Sequence, residues 1–162
     1  MSEISKNKLT VRKINPGFGI TSTHSGIITP ELATCIAVGG ITDQKTLFMT
    51  HQPDFAHNKQ LQILSNKFNL SKGKGQMVVF AADPGFVGRG YFTRIDQGDT
   101  GYSYAEALTI LIQKLKGNFP GFTISHLPYG DPNKGPQSHA EIDLTTFTAS
   151  TNSGSLRLLG NI

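Results

Sequence analysis

Cys35 and His51 are the two residues whose types and spacing best suit nucleophilic chemistry in this sequence. Cys35 is the only cysteine, and His51 follows it sixteen residues later. The thiolate is the nucleophilic form, and a free cysteine is mostly thiol at neutral pH, so an imidazole nearby must take the proton. A third group would orient that imidazole, and backbone N–H groups in the turn PELATC (residues 30–35) could bind the developing oxyanion.

A β-hairpin must bring the pair together. The β-rich runs CIAVGGIT (35–42) and TLFMTH (46–51) flank DQK, a spacing typical of a hairpin. With a three-residue loop, Thr42 pairs with Thr46 and His51 lies opposite Ala37. Cys35 and His51 would then be diagonal neighbours on one face, with Cα atoms roughly 7–8 Å apart. A one-residue slip would put them on opposite faces, so the prediction depends on the loop length.

A structural role for Cys35 competes with the catalytic one. Free cysteine is among the most buried residue types, and Cys35 stands at the head of an apolar run. A Cys–His spacing alone identifies no family. On the residues alone, both interpretations stay open.

Length and composition indicate one domain, residues 1–162, with room for a sizeable core. A single cysteine cannot form an internal disulfide. The net charge is +4, and the excess lies in residues 1–81, with nine Lys/Arg against four Asp/Glu. Such charges are typical of solvated faces, and we do not predict a nucleic-acid partner.

Neither a membrane span nor a conventional signal peptide is predicted. No apolar stretch reaches the required length, and the start MSEISKNKLTVRK has no hydrophobic region. The sequence therefore predicts a protein that works in a cytosol, with no membrane partner, as a monomer.

About seven strands and two helices are expected to position the site, with strands following strands at both ends. This order predicts an α+β mixed domain with helices packed on sheet faces, not a doubly wound fold. NPGFG (15–19) is predicted to be a turn, and Pro30 to interrupt the short apolar run 25–29. Ser103 and Glu106 are predicted to form a capping box, with Gly117 beyond the helix end. The predicted strands are 9–14, 35–42, 46–51, 76–83, 122–127, 139–149 and 154–160, with a further possible strand at 90–95, and the helices are 55–68 and 104–117.

Other candidate groups suggest no cofactor and no metal. His139, Glu141 and Asp143 alternate along one strand and could bind a metal, but an exposed polar face is the simpler interpretation. His51 and His57 lack the spacing of a helical zinc pair. His126 could line a cleft. The glycine-rich stretch 85–101 fits neither a phosphate loop nor an RNA-binding sheet, and is interpreted as a surface hairpin or a substrate-facing loop.

The stretch from Thr29 to His51 resembles a superfamily of cysteine-dependent glutamine deamidases. This superfamily includes the chemotaxis receptor deamidase CheD, the cytotoxic necrotizing factor toxins and, nearest here, Burkholderia lethal factor. The lethal factor's motif is Thr, two residues, Leu-Ser-Gly-Cys, a glycine-containing hairpin and a histidine, and Ala33-Thr34 replaces its Ser-Gly pair. The run TTFTASTNSGS (145–155) resembles a Thr/Ser/Gly-rich strand and turn near its C-terminus. The matching residues are Thr29, Leu32, Cys35, Gly39, Gly40 and His51.

The resemblance implies roles for three residues. Cys35 would be the nucleophile and His51 the general base and later acid. Thr29 would orient the imidazole through its hydroxyl or its backbone carbonyl. The implied fold is a sandwich of two mixed β-sheets with flanking helices.

The implied reaction converts a glutamine of a target protein to glutamate through a thioester. The family points to a bacterial toxin or effector that acts in a host cytosol after secretion. A CheD-like housekeeping receptor deamidase in the producing cell and a non-catalytic binding module with a basic face are the alternatives. The target glutamine, and hydrolysis as opposed to transamidation, are left open by the sequence.

Overall fold

In the residues that the structure describes, two five-stranded mixed β-sheets and two α-helices form the main part of the fold. The computed structural model describes residues 7–15, 17–32, 35–52, 59–83, 92–93, 102–130 and 138–158. The first six strands are β1 (Asn7–Lys13), β2 (Gly17–Thr21), β3 (His24–Leu32), β4 (Ala37–Thr42), β5 (Leu47–His51) and β6 (Gly75–Ala82). The others are β7 (Phe92–Thr93), β8 (Tyr102–Ser103), β9 (Phe122–Tyr129), β10 (Ser138–Asp143), β11 (Thr148–Thr151) and β12 (Gly154–Arg157). The helices are α1 (Lys59–Phe68) and α2 (Tyr104–Asn118), with a 3-10 turn at Leu70–Lys72.

The first sheet has the strand order β1-β3-β10-β11-β12 and the second has β2-β5-β4-β6-β9. Each sheet contains one parallel pair, β1 with β3 and β6 with β9, among antiparallel neighbours. Strands β7 and β8 form a separate two-stranded pair. The predicted sandwich of two mixed sheets is therefore confirmed.

The sheets face each other through a layer of buried side chains. Ile27 and Ile142, from neighbouring strands of the first sheet, pair directly and are fully buried. Across the layer, Met49 lies on the inner face of β5. Gly39 leaves the space that this contact needs, because a Cβ there would come within 2.8 Å of the Met49 sulfur and 3.1 Å of Ile142.

Helix α2 covers the outer face of the second sheet. Phe48 points away from the first sheet and packs edge-to-face on Phe122, with ring centroids 6.0 Å apart. Phe122 packs in the same way on Phe119, which follows α2. The predicted capping box starts this helix, since Ser103 Oγ accepts from the Glu106 N–H at 3.2 Å and the Glu106 carboxylate accepts from the Ser103 N–H.

Several predicted elements are wrong in detail. The predicted NPGFG turn includes the start of strand β2, which pairs with β5 from Gly17 onward. Pro30 does not end β3, which runs on to Leu32. Gly117 lies inside α2, one residue before its end. The predicted strand 139–149 is two strands, β10 and β11, joined by a turn.

The described part of the chain contains twelve strands, against the seven predicted. Of the additional strands, β2, β7 and β8 have five residues or fewer, whereas β3, with nine residues, is the longest strand among the described residues. Strand β7 lies within the possible strand at 90–95. The helix predicted at 55–68 is present over Lys59–Phe68, and its first residues lie outside the described ranges. Within those ranges, no helix has the length and apolar character needed to cross a membrane.

Candidate functional site

The hairpin that carries the candidate pair has the predicted register. Thr42 N–H donates to Thr46 O at 2.9 Å, and Lys45 adopts a left-handed conformation with φ 64°, as the last residue of a three-residue loop often does. The register runs without a slip from the Ile41–Leu47 pair to the Ile36–Gln52 bridge. His51 therefore lies opposite Ala37. Cys35 precedes Ala37 by two residues, just beyond the last ladder pair, and the alternation of the strand predicts that its side chain shares the face of Ala37 and His51.

His51 is buried between the sheets, where Thr29 of the first sheet contacts it. The side chain is 3% exposed, and its Nδ1 lies 2.7 Å from Thr29 Oγ1. The same Thr29 hydroxyl donates to Ile14 O, also at 2.7 Å. A hydroxyl has one proton, so toward His51 it must accept, and Nδ1 must carry the hydrogen. In the neutral imidazole the lone pair is then on Nε2, which is the form a general base requires.

A β-bulge directly follows Thr29. Thr29 pairs with Ala140 and Leu32 with Ser138, so Pro30 and Glu31 together lie opposite the single residue His139. Glu31 adopts φ 66°, which is uncommon for a residue with a side chain. Bulges bend a strand and tolerate a proline, which has no N–H to give to the ladder. The bulge thus bends β3 between Thr29 and Leu32, the last residue of the strand.

Burial sets the charge state of His51. Loss of solvent lowers the pKa of His51 below its ordinary value of 6.5, and the carboxylate of the exposed Glu31 opposes that effect in part. The imidazole is therefore mainly neutral at pH 7. It can take a proton at Nε2 during a reaction without first having to lose one.

Cys35 is half-buried and packs at the edge of the core. Its carbonyl oxygen accepts a hydrogen bond of 2.8 Å from the hydroxyl of Tyr129, a fully buried residue at the end of β9. The Ala33-Thr34 step of the expected oxyanion turn lies outside the described residues. No sequence pattern drew attention to Tyr129, because it is separated from Cys35 by 94 positions.

The other candidates do not join this site. The register of β9 on β6 places His126 on the face opposite Tyr129, so it does not line the same cleft as His51. His139, Glu141 and Asp143 are half-exposed and alternate with buried residues of β10, as a polar outer face does. Among the described residues, no group of three His, Cys, Asp or Glu side chains could hold a metal ion. His57 and residues 94–101 lie outside the described ranges, as does most of 85–93.

Stability should fall as the pH drops below about 6.5, in part because of His51. Its pKa is lower in the folded chain than the ordinary value of 6.5, so the unfolded chain takes up the proton first. This contribution is present above pH 6.5 and is lost as the pH falls toward the folded-state pKa. Urea unfolding at pH 7.5, 6.5 and 5.5 measures the loss. His51→Asn keeps an N–H donor near Thr29 but does not titrate, so its stability should change less with pH.

His126 provides the background for that measurement. Burial lowers its pKa too, opposed by a hydrogen bond to Ala81 O and by Asp83. His126 is present in both the wild type and His51→Asn, so its contribution to the pH dependence of stability cancels when the two are compared. Equal pH dependence in the wild type and in His51→Asn would contradict the assigned burial effect.

The sequence matches no protein-family model, and no curated protein matches it significantly. Inference about function therefore starts from the geometry around Thr29, Cys35 and His51.

Proposed function

We propose that this protein is a cysteine-dependent protein glutamine deamidase, with Cys35 as nucleophile, His51 as general base and acid, and Thr29 as the residue that orients His51. The proposal extends to a toxin or effector that acts on a glutamine side chain of a target protein. It rests on the sequence resemblance together with the geometry of the three residues.

One observation carries the proposal: Thr29 Oγ1 accepts from His51 Nδ1–H while donating to Ile14 O. Hydrogen bonding fixes the tautomer of any buried neutral histidine, and here it fixes the one that leaves the lone pair on Nε2. A general base needs this tautomer, because Nε2 must be free of hydrogen when the nucleophile gives up its proton. Thr29 was assigned the orienting role from the motif spacing, and the hydroxyl contact supports that assignment over an action of its carbonyl.

The proposed reaction begins with attack of the Cys35 sulfur on the amide carbon of a glutamine side chain. His51 Nε2 takes the thiol proton as the S–C bond forms. The same proton then passes to the amide nitrogen, the C–N bond breaks, and ammonia leaves a thioester. His51 next removes a proton from water, whose oxygen attacks the thioester carbon. The C–S bond then breaks, and His51 returns the proton to the sulfur. Glutamate and the thiol are the products, so the net change is addition of water and loss of ammonia.

The exposure of Cys35 favours this proposal over a non-catalytic binding module. A purely structural cysteine at the head of a core strand is expected to be fully buried. Cys35 is instead half-buried, whereas its neighbours Ile36 and Ala37 are completely buried. Cys35 is thus partly exposed, as attack on a substrate side chain requires.

The experiment that tests the proposal is a proteome-wide search for conversion of glutamine to glutamate. Purified protein is incubated with a eukaryotic cell lysate in heavy-oxygen water, and the peptides are analysed by mass spectrometry. We expect a small set of glutamines to become glutamate with heavy oxygen in the new carboxylate. A primary amine probe in a parallel sample detects transamidation, in which an amine resolves the thioester instead of water.

His51→Ala provides the matched control. It leaves Cys35 in place but removes the base, so every converted site should disappear. Sites that persist at the wild-type level with this variant would arise from contamination or spontaneous deamidation. Two results together would refute the proposed function. One is that no converted site is specific to the wild type, and the other is that Cys35 reacts with iodoacetamide at pH 6 no faster than free cysteine does.

A further inference from the structure

The backbone at Cys35 is held from outside the Thr29–His51 pair. Strand β4 begins at Ala37, and the ladder to β5 extends backwards only to the Ile36–Gln52 bridge. Cys35 therefore lies just beyond the last described ladder pair. The contact from Tyr129 Oη to the Cys35 carbonyl oxygen, at 2.8 Å, acts on this residue itself.

Tyr129 is in turn fixed by the turn between β11 and β12. Thr151 Oγ1 and Ser153 Oγ both donate to Pro128 O at 3.3 Å. On the other side of Tyr129, Gly130 N–H donates to Asn152 Oδ1 at 3.5 Å. The turn thus holds the residues immediately before and after Tyr129.

The same turn is anchored to the first sheet. Ser138 Oγ, at the start of β10, donates to Asn152 Oδ1 at 2.7 Å and accepts from the Asn152 N–H at 3.3 Å. Ser138 pairs with Leu32 at the end of β3, three residues after Thr29. A continuous set of contacts therefore runs from the strand that carries Thr29, through Asn152 and Tyr129, to the carbonyl of Cys35.

We propose that Tyr129 is a positioning residue for the nucleophile: its hydroxyl holds the Cys35 peptide so that the sulfur stays within reach of His51 Nε2. The inference rests on the proposed function, because it concerns the same Cys35–His51 pair. In this proposal, the Thr/Ser/Gly-rich turn between β11 and β12 serves to hold Tyr129 in place. Two connections join the sheets at the site, Thr29 to His51 and the β11–β12 turn through Tyr129 to Cys35.

Tyr129→Phe tests this role because it removes only the hydroxyl. Tyr104→Phe is a matched control, since Tyr104 is also buried and its hydroxyl accepts one backbone hydrogen bond, from Ala82 N–H at 2.8 Å. The measurement is the second-order rate of Cys35 alkylation by iodoacetamide, as a function of pH. Displacement of a reacting group by about 1 Å can cost up to about a hundredfold in rate.

At pH 6 we expect Tyr129→Phe to slow alkylation by about ten- to a hundredfold and Tyr104→Phe to stay close to the wild type. At pH 9 the rates should converge, because the thiolate then forms without help from His51. A merely destabilised protein would behave differently, since loss of the pH 6 advantage by opening requires most molecules to be unfolded, which far-UV circular dichroism would show. Thr151→Val, which removes one donor to Pro128 O, should slow the pH 6 reaction less strongly, and it serves if Tyr129→Phe does not fold.

The outcomes separate this inference from the proposed function. If wild-type Cys35 reacts rapidly at pH 6 and Tyr129→Phe matches Tyr104→Phe, the positioning role is overturned and the proposed function stands. If Tyr129→Phe does not fold, an unchanged rate in Thr151→Val overturns it. If wild-type Cys35 reacts no faster than free cysteine, this inference fails, and the proposed function fails with it when the lysate search also finds no sites specific to the wild type.

Discussion

Replacing Cys35 with serine should abolish deamidation while the protein keeps its fold. The substitution changes one atom in a half-buried side chain, so the melting temperature should remain close to that of the wild type. A serine hydroxyl is far harder to deprotonate than a thiol, and a single neutral imidazole does not make up that difference. Turnover on a verified substrate should fall roughly 10⁴-fold or more, as it does when other covalent hydrolases lose their nucleophile.

Mass spectrometry of the target glutamine gives the activity in this test, and thermal unfolding gives the stability. Cys35→Ala is the companion variant, because it cannot act as a nucleophile at all and sets the background rate. Full activity in Cys35→Ser would mean that the cysteine is structural and that the resemblance to the deamidases is misleading.

Local sequence signals were sufficient to predict the hairpin and the start of α2. Two β-rich runs separated by DQK determine a loop length, and the loop length determines which residues face each other. Ser103 and Glu106 likewise bond to each other's backbone within one helical turn, so the capping box can be recognised from a three-residue spacing. In both cases the partners are neighbours in sequence.

Turns made by side chains were harder to recognise. Residues 139–149 have the composition of one strand, yet the chain reverses after Asp143. Its carboxylate accepts from the N–H and the hydroxyl of Thr145, at 2.8 and 2.6 Å, and Phe147 takes a left-handed conformation with φ 51°. Asp is a common turn former, but the β-branched threonines that follow favour strands and conceal it.

The other differences between the predicted and the observed strands come from pairing between segments that are distant in sequence. Gly17 to Thr21 have a turn-like start but gain a partner in β5, which makes them an edge strand. Pro30 remains within β3 because a bulge there does not need its missing N–H. Neither pairing can be predicted from the residues near Gly17 or Pro30.

In the candidate site, too, some features follow from local sequence and others depend on distant segments. The sequence predicts that Cys35 and His51 share one face of a hairpin, and the observed register of that hairpin agrees with the prediction up to the Ile36–Gln52 bridge. The roles of Ile14 and Tyr129 depend on contacts between segments that are distant in sequence, across separations of 15 and 94 residues. The spacing of Thr29 came from the family motif, but only the structure distinguishes its hydroxyl from its carbonyl as the contact to His51.

Thr29→Val should disable His51 even though it preserves shape. Valine replaces the hydroxyl by a methyl group of similar size, so it can neither accept from His51 Nδ1–H nor donate to Ile14 O. An imidazole without this partner is free to rotate or to move its hydrogen to Nε2, where it blocks proton transfer from Cys35. We expect the rate of deamidation to fall by about 10²- to 10⁴-fold. Catalytic triads lose rate over about this range when the base loses its correct tautomer and orientation.

Thr29→Ser separates this effect from loss of packing. Serine keeps the hydroxyl and loses one buried methyl group, which costs about 1 kcal/mol in stability. Valine keeps the volume but leaves polar groups without partners at a completely buried position, which costs about 1–3 kcal/mol for each group. The valine variant should therefore be the more destabilised of the two, and only the serine variant should stay active.

The nitrogen-15 chemical shifts of the imidazole report the cause directly. In the wild type and in Thr29→Ser above pH 7, His51 should carry its hydrogen on Nδ1, because the threonine or serine hydroxyl gives its own proton to Ile14 O and can only accept. In Thr29→Val the shifts should move toward the Nε2–H form or an average of the two, in parallel with the loss of activity. A valine variant that keeps both the Nδ1–H tautomer and full activity would show that Thr29 does not orient His51, and the triad would then reduce to Cys35 and His51 alone.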